Sequence, residues 1–203
     1  MRAPRGSYQH TPARRREILA AALACFDEAG FVNTTLADIR RRSGASNGSL
    51  YHHFANKERL AAEVYLQCIA DYQAGLVAAL AARPGAREGI AAVVAYHLHW
   101  VAEHKVEARF LAAARHAEFA ALVEPRLAKS NAVFVNAVGG FFRRHIKAGA
   151  LRPLAPEVCV ALLLGPVYEV ARHWMRDGHG LALPKTITEL SDGAWRSLRK
   201  EAI

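Results

Sequence analysis

Apolar positions along the chain recur with helical spacing, and Val, Ile and Thr never cluster into the alternating runs of a strand. Ile18, Leu19, Ala22, Leu23 and Phe26 make one face of a helix from about Ala13 to Ala29, with Gly30 where such a helix stops. Thr34 or Thr35 is suited to cap a second helix that carries Leu36 and Ile39 and closes at Gly44. Ser46 or Asn47 caps a short third helix reaching His53 or Phe54. Asn56 opens a long fourth one, with Leu60, Val64, Leu66, Cys68, Tyr72, Leu76 and Leu80 on a broad apolar surface to about Ala82. After the break at Pro84 and Gly85, helical patterns cover Glu88 to Lys105, Arg109 to about His116, Val123 to Ala148, Glu157 to Arg176 and Lys185 to Arg199. The prediction is an all-α chain of about nine helices, a three-helix N-terminal unit followed by a larger helical body.

Composition narrows this reading. At 52% hydrophobic and 22% charged residues, the 203-residue chain has the material for packed cores, with disorder expected only at its ends. The formal net charge is +9. Residues 1–59 hold ten Lys/Arg against five Asp/Glu, and residues 60–203 hold seventeen against thirteen, so the excess is about three times as dense in the first third. A basic end favours a polyanion, although it would also serve solubility. Cys25, Cys68 and Cys159 lack a CxxC spacing and read as buried free thiols in a reducing cytoplasm. No secretion signal is visible, and the most apolar stretch, VCVALLLGPVYEVA at 158–171, reads as a buried helix. A cytoplasmic protein without a membrane partner is expected.

The chemistry lies in TTLADIRRRSGASNGSLYHHFANKERL, residues 34–60. Two short helices joined by a tight SGAS turn fit a helix-turn-helix, and small polar residues at the start of the second suit entry into a major groove. This segment resembles the DNA-binding unit of the TetR/AcrR family of transcriptional regulators. The resemblance rests on Thr34, Thr35, Ile39, Gly44, Ser46, Gly48, Leu50, Tyr51, His53, Phe54, Lys57 and Glu58, and upstream on Ile18, Ala21, Ala22, Phe26, Gly30 and Phe31. It covers about residues 14–60. Arg40, Ser43 and Ala45 depart from the family pattern, and the run Arg40–Arg42 makes the second helix unusually basic.

The resemblance implies a basic arm over residues 1–13, a DNA-binding domain over 14–60 and an effector-binding and dimerisation domain over 61–203. It implies that Thr35 caps the second helix and meets phosphate, that Tyr51 touches the DNA backbone beside an exposed His52, and that Lys57 meets a phosphate. Asn47 and Ser49 are candidate readers of base edges, with capping as the alternative for Asn47. Gly48 allows close approach of the helix, or serves only the turn. Ser46 and Arg41 complete the candidate surface, and Arg14, Arg15 and Arg16 supply a basic run ahead of the first helix, with Arg2 and Arg5 in the arm.

For the body, the resemblance implies an effector pocket and a homodimer. His97, Trp100, Val101 and His104 share a helix face by their spacing. Phe110, Phe119, Phe134, Val138, Phe141 and Tyr168 add surface for a largely apolar small molecule, each being core packing in the alternative. Val160, Leu163, Leu164, Val167, Ala171 and Trp174 form a stripe suited to a C2 dimer interface. No cofactor is implied, and His97, His99 and His104 lack the further ligands of a metal motif. The function expected is a ligand-responsive regulator, a repressor released from an inverted-repeat operator by its effector. The alternatives are a helical protein-interaction module and a helical enzyme using His97, His104, His116, Glu103 and Glu169, for which no nucleophile or phosphate loop is present.

Overall fold

The structure is a computed structural model and describes residues 12–114, 119–177 and 182–201. Arg2, Arg5 and His116 lie outside these residues. The described residues form nine helices: α1 (Pro12–Asn33), α2 (Leu36–Ser43), α3 (Asn47–His53), α4 (Lys57–Ala81), α5 (Ala86–Glu103), α6 (Lys105–Ala114), α7 (Ala120–Lys147), α8 (Pro156–Asp177) and α9 (Leu183–Leu198). Their only β feature is an isolated antiparallel bridge between Leu151 and Arg199.

Two boundaries differ from the sequence reading. Gly30 does not end α1. It kinks the helix at φ 76°, ψ 162°, and one further turn runs to Asn33. Thr34 seals that turn, its hydroxyl donating to the carbonyls of Cys25 at 3.0 Å and Gly30 at 2.8 Å. The break after α5 falls on His104, which leaves helical geometry at φ −119°, ψ 52°, instead of between Lys105 and Arg109.

The chain packs as two compact units. The first runs to Ala70 and also takes in Val106–Lys129. The second comprises Asp71–Lys105 and Ser130–Ile203. This division does not follow the expected line between residues 60 and 61, because the first part of α4, all but the start of α6 and the beginning of α7 cluster with the three short helices.

In the first unit, Ile18, Ala22 and Phe26 of α1, Ile39 of α2, Leu50 of α3, Phe54, and Leu60, Ala61 and Val64 of α4 form the core. Phe110 stacks on Phe26 with centroids 5.6 Å apart, and Phe119 lies 5.2 Å from Phe31 and 6.1 Å from Phe110. These two rings were expected around an effector in the body. Both extend the core of the first unit and line a pocket of ≈ 220 Å³ there with Phe26, Phe31 and Arg109, a placement that apolarity and helical spacing could not reveal. Arg109 holds Asp27 through two bonds of 2.7 Å each, and Glu63 receives both Arg15 and Arg126. Burial raises the Glu63 carboxyl, but the two guanidiniums outweigh it and hold the group below its ordinary value.

In the second unit α5 packs against α8 and α9, and α8 against α9. The core joins Tyr72, Leu76 and Leu80 of α4 to Ile90, Val94 and Leu98 of α5, Phe141 and Phe142 of α7, and Leu163 and Val167 of α8. The Arg152 amide donates to the Leu198 carbonyl at 2.9 Å and the Lys200 amide to that of Ala150 at 3.0 Å, tying the segment after α7 to the end of α9. Cys25, Cys68 and Cys159 are buried thiols outside any disulfide. Among the described residues α4, not the 158–171 stretch, is the helix long and apolar enough to cross a membrane. Its residues Leu60, Ala61, Val64 and Cys68 are buried in the first unit and Tyr72, Leu76 and Leu80 in the second.

Candidate nucleic-acid interface

The candidate surface is built from caps inward. Thr35 is the N-cap of α2: its hydroxyl accepts from the Asp38 amide at 3.2 Å while Asp38 Oδ2 accepts from the Thr35 amide at 3.0 Å. Hydrogen bonds from the Thr35 hydroxyl and amide hold the Asp38 carboxyl below its ordinary value. Gly44 closes α2 in the left-handed region at φ 64°, ψ 16°, which turns the chain within one residue. Ser46 then caps α3, accepting from the Ser49 amide at 3.1 Å. Asn56 Oδ1 accepts from the Arg59 amide at 2.9 Å and so opens α4. Three successive helix starts, after Thr35, Ser46 and Asn56, are thus fixed by short side chains.

This framework decides which side of α3 is free. Asn47, Gly48, Tyr51 and His52 are exposed, Tyr51 at 57%, whereas Ser49 and Leu50 are 1% exposed. The exposed four stand at i, i+1, i+4 and i+5, one face of a helix. A Cβ at Gly48 would meet nothing within 4 Å, so that face is flat there. Ser49 was expected to read a base. Its place on the buried side makes it a packing residue, since a groove-facing side chain must be open to solvent before DNA arrives. Asn47 is the first residue of α3 and Ser46 fills the cap, so the capping alternative for Asn47 falls away.

The arginines divide. Arg14 pairs with Glu17 at 2.7 Å and donates to the Ser43 carbonyl at 3.1 Å, tying α1 to the end of α2. Arg15 binds Glu63 and lies 5.5 Å from the centroid of Phe54. Both therefore brace the head. Arg41 pairs with Asp38 at 2.6 Å and Arg42 with Glu28 at 2.5 Å. Arg16 and Arg40 are exposed and have no acidic partner among the described residues. Arg40, the family departure, therefore adds positive surface without crowding the packing of α2. Lys57 is committed too: its ammonium donates to the Phe31 carbonyl at 2.8 Å and that of Val32 at 3.1 Å, and sits 4.5 Å from the Phe31 ring centroid. It closes the last turn of α1, where helix carbonyls attract a cation.

Residues 18–64 match the family model described as bacterial regulatory proteins, tetR family. The segment 18–64 is a TetR-family domain. Among the relatives, the transcriptional regulator BetI of Agrobacterium fabrum is 35% identical over 83 residues, 41% of this chain and 40% of its own length. The transcriptional repressor KstR2 of Mycobacterium tuberculosis is 48% identical over 52 residues, 26% of either chain. The matches thus span well under two thirds of these relatives. Over nearly the full length, the fold is that of a TetR-family regulator from Marinobacter aquaeolei, with a TM-score of 0.77 at 17% identity covering 93% of this chain and 97% of the other. The regulator FadR from Bacillus subtilis, solved with stearoyl-CoA, gives 0.76 at 16% identity, covering 88% and 96%.

The remaining expected residues belong to the second unit. His97, Trp100 and Val101 are buried on α5, while His104, in the break after it, is exposed and stacks on Trp100 at 5.2 Å. Phe134, Val138 and Phe141 line an apolar cavity of ≈ 20 Å³, about the room one water needs, together with Leu76, Val93 and Leu163. Tyr168 lies 4.8 Å from His97. The partner Tyr72, which the sequence reading did not group with His97, comes from α4, and Tyr96, the residue before His97 on α5, donates to the Tyr72 carbonyl. No local spacing links α4 to α5.

On α8, Leu163, Leu164, Val167 and Ala171 are 1–5% exposed within their own unit, so they are core and not the expected dimer face. Val158 at 44%, Val160 at 39%, Ala161 and Gly165 are exposed, as are Pro166, Tyr168 and Glu169 further along the helix. Trp174 is half-buried beneath Lys105, 5.7 Å from its ring centroid. Among the described residues no three His, Cys, Asp or Glu side chains gather as a metal site requires.

Proposed function

We propose that the chain is a transcriptional regulator that binds duplex DNA through the exposed face of α3 and responds to a small molecule held by its second unit. The observation that carries this reading is the open Asn47–Gly48–Tyr51–His52 face, set by three caps and flanked by exposed Arg16 and Arg40. Asn47 can read an adenine edge, the flat position at Gly48 lets the helix approach, and Tyr51 and His52 reach sugar and phosphate. Thr35 and Arg41, at the two ends of α2, add phosphate contacts. The repressor names of relatives such as KstR2 favour repression.

The protein acts as a homodimer through the outer face of α8, where Val158, Val160, Ala161 and Gly165 are exposed. A two-fold dimer presents two α3 helices to an inverted repeat. Effector release needs a molecule that prefers the non-binding state; α4 contributes residues to both units and is the element through which that preference passes. That FadR was solved with stearoyl-CoA supports a largely apolar effector.

The test is selection of bound sequences from random duplexes with the purified full-length protein. A symmetric motif should emerge, bound with a steep salt dependence. Tyr51→Ala should stay folded and lose affinity for it. Failure to enrich any symmetric motif overturns the reading.

A further inference from the structure

Inside the second unit, His97 Nε2, His145 Nε2 and Ser191 Oγ are buried with no hydrogen-bond partner among the described residues, and of the three His97 lies within a cluster of aromatic rings. His97 lies mid-way along α5 and is 6% exposed. Its Nδ1 is hydrogen-bonded to the Tyr72 hydroxyl at 2.9 Å, and its Nε2 is shielded from solvent with no hydrogen-bond partner among the described residues. Aromatic rings surround it: Tyr168 at 4.8 Å, edge-on, and Tyr72 at 5.6 Å, with Trp100 5.0 Å beyond Tyr72. Tyr96 donates its hydroxyl to the Tyr72 backbone carbonyl at 2.9 Å and so fixes Tyr72 against α5. Tyr168 is 37% exposed, so the cluster reaches the surface of α8 at that ring.

A buried imidazole oriented through one nitrogen and orphaned at the other is an unspent hydrogen-bonding group. We propose that His97 Nε2 anchors a small-molecule site, and that the molecule it takes is uncharged, has an aromatic body and places one hydroxyl on that nitrogen. The choice of a hydroxyl follows from the two tautomers. If Tyr72 donates to Nδ1, then Nε2–H donates outward; if Nδ1–H donates to Tyr72, then Nε2 accepts. A hydroxyl satisfies either arrangement. The uncharged body follows from burial, which pushes His97 down to about 4 and leaves the ring neutral at neutral pH, with no charge to offer an anion. The aromatic body follows from the Tyr168 ring, which stands edge-on to His97 at 4.8 Å. This inference rests on the effector-responsive reading above and names the chemistry of that effector.

The test uses the full chain and three probes of one shape, 2-naphthol, 2-methylnaphthalene and 2-naphthoate, titrated calorimetrically without DNA. 2-Naphthol should bind about tenfold more tightly than the methyl isostere, the value of one well-made neutral hydrogen bond. 2-Naphthoate should bind no better than the isostere. His97→Phe, which keeps a ring and removes both nitrogens, should equalise 2-naphthol and 2-methylnaphthalene. On the unsubstituted protein labelled with ¹⁵N-histidine, saturating 2-naphthol should move the His97 Nε2 resonance, a readout that holds even if the variant misfolds. No binding, equal affinities, a preference for the carboxylate, a preference retained in His97→Phe, or an unmoved Nε2 resonance each overturns the proposal. A selected operator without probe preference removes this site alone, and probe preference without an operator removes the regulator reading alone.

Discussion

Replacing Lys57 by Met separates two roles that the same lysine can have. Met keeps the apolar stem and removes the ammonium. The structure assigns that ammonium to the Phe31 and Val32 carbonyls at 2.8 and 3.1 Å, over the Phe31 ring. Two charge-assisted bonds at a helix C-terminus, one of them on the surface, are worth about 1–2 kcal/mol together, and the ring contact adds about 0.5 kcal/mol. Losing about 2 kcal/mol should speed hydrogen exchange in the last turn of α1 and the first turn of α4 by roughly 10–30-fold, without unfolding the head. Operator affinity should fall because α3 is held between those two elements, but the slope of log affinity against log salt should be unchanged. A direct phosphate contact predicts the opposite pair: a slope shallower by about 0.9 and unaltered exchange. That second pair of results would refute the assignment of Lys57 as a brace.

Three further outcomes are expected. Between pH 6.5 and about 4 an unfolded imidazole takes up a proton that buried His97 refuses, so stability of the second unit falls as pH descends through that window. The effect is on the order of 3 kcal/mol and should vanish in His97→Phe, followed by urea denaturation with the fluorescence of Trp100, Trp174 and Trp195, all in that unit. Glu63 has the carboxylate sign: its lowered pKa contributes stability above the ordinary carboxylate value, lost as pH falls through its own. Glu63→Gln should therefore lower first-unit stability at pH 7 and flatten the acid limb of exchange in α1 and α4; an unchanged acid limb would remove the Arg15–Glu63–Arg126 network from the account. Gly44→Ala meets no atom within 4 Å but must hold φ 64°, so it should cost about 1–2 kcal/mol in thermal unfolding through backbone strain alone.

Helices, caps and the helix-turn-helix were legible in the chain because each depends on residues a few positions apart. Thr35 with Asp38, Ser46 with the Ser49 amide, Asn56 with the Arg59 amide and the left-handed Gly44 are all local interactions, and local periodicity places the apolar faces of α1 and α4. Sequence also located the face of α3 to within one residue, failing at Ser49, since a polar side chain in a seven-residue helix carries no sign of which way it turns. What spacing could not contain was which faces meet. Phe110 and Phe119 are as apolar as Phe134 and Phe141, yet the first pair completes the head with Phe26 and Phe31, because α6 and the start of α7 return to it. Leu163, Val167 and Ala171 are a clean apolar stripe, and only packing with α5 and α9 decides that the stripe serves the chain's own core. Lys57 and His97 show the same limit in their chemistry. A lysine at a helix start and a histidine among aromatics invite an external partner, and it is tertiary contact across 25 residues or more that gives one of them carbonyls 25 and 26 residues back and leaves the other with one nitrogen paired and one open.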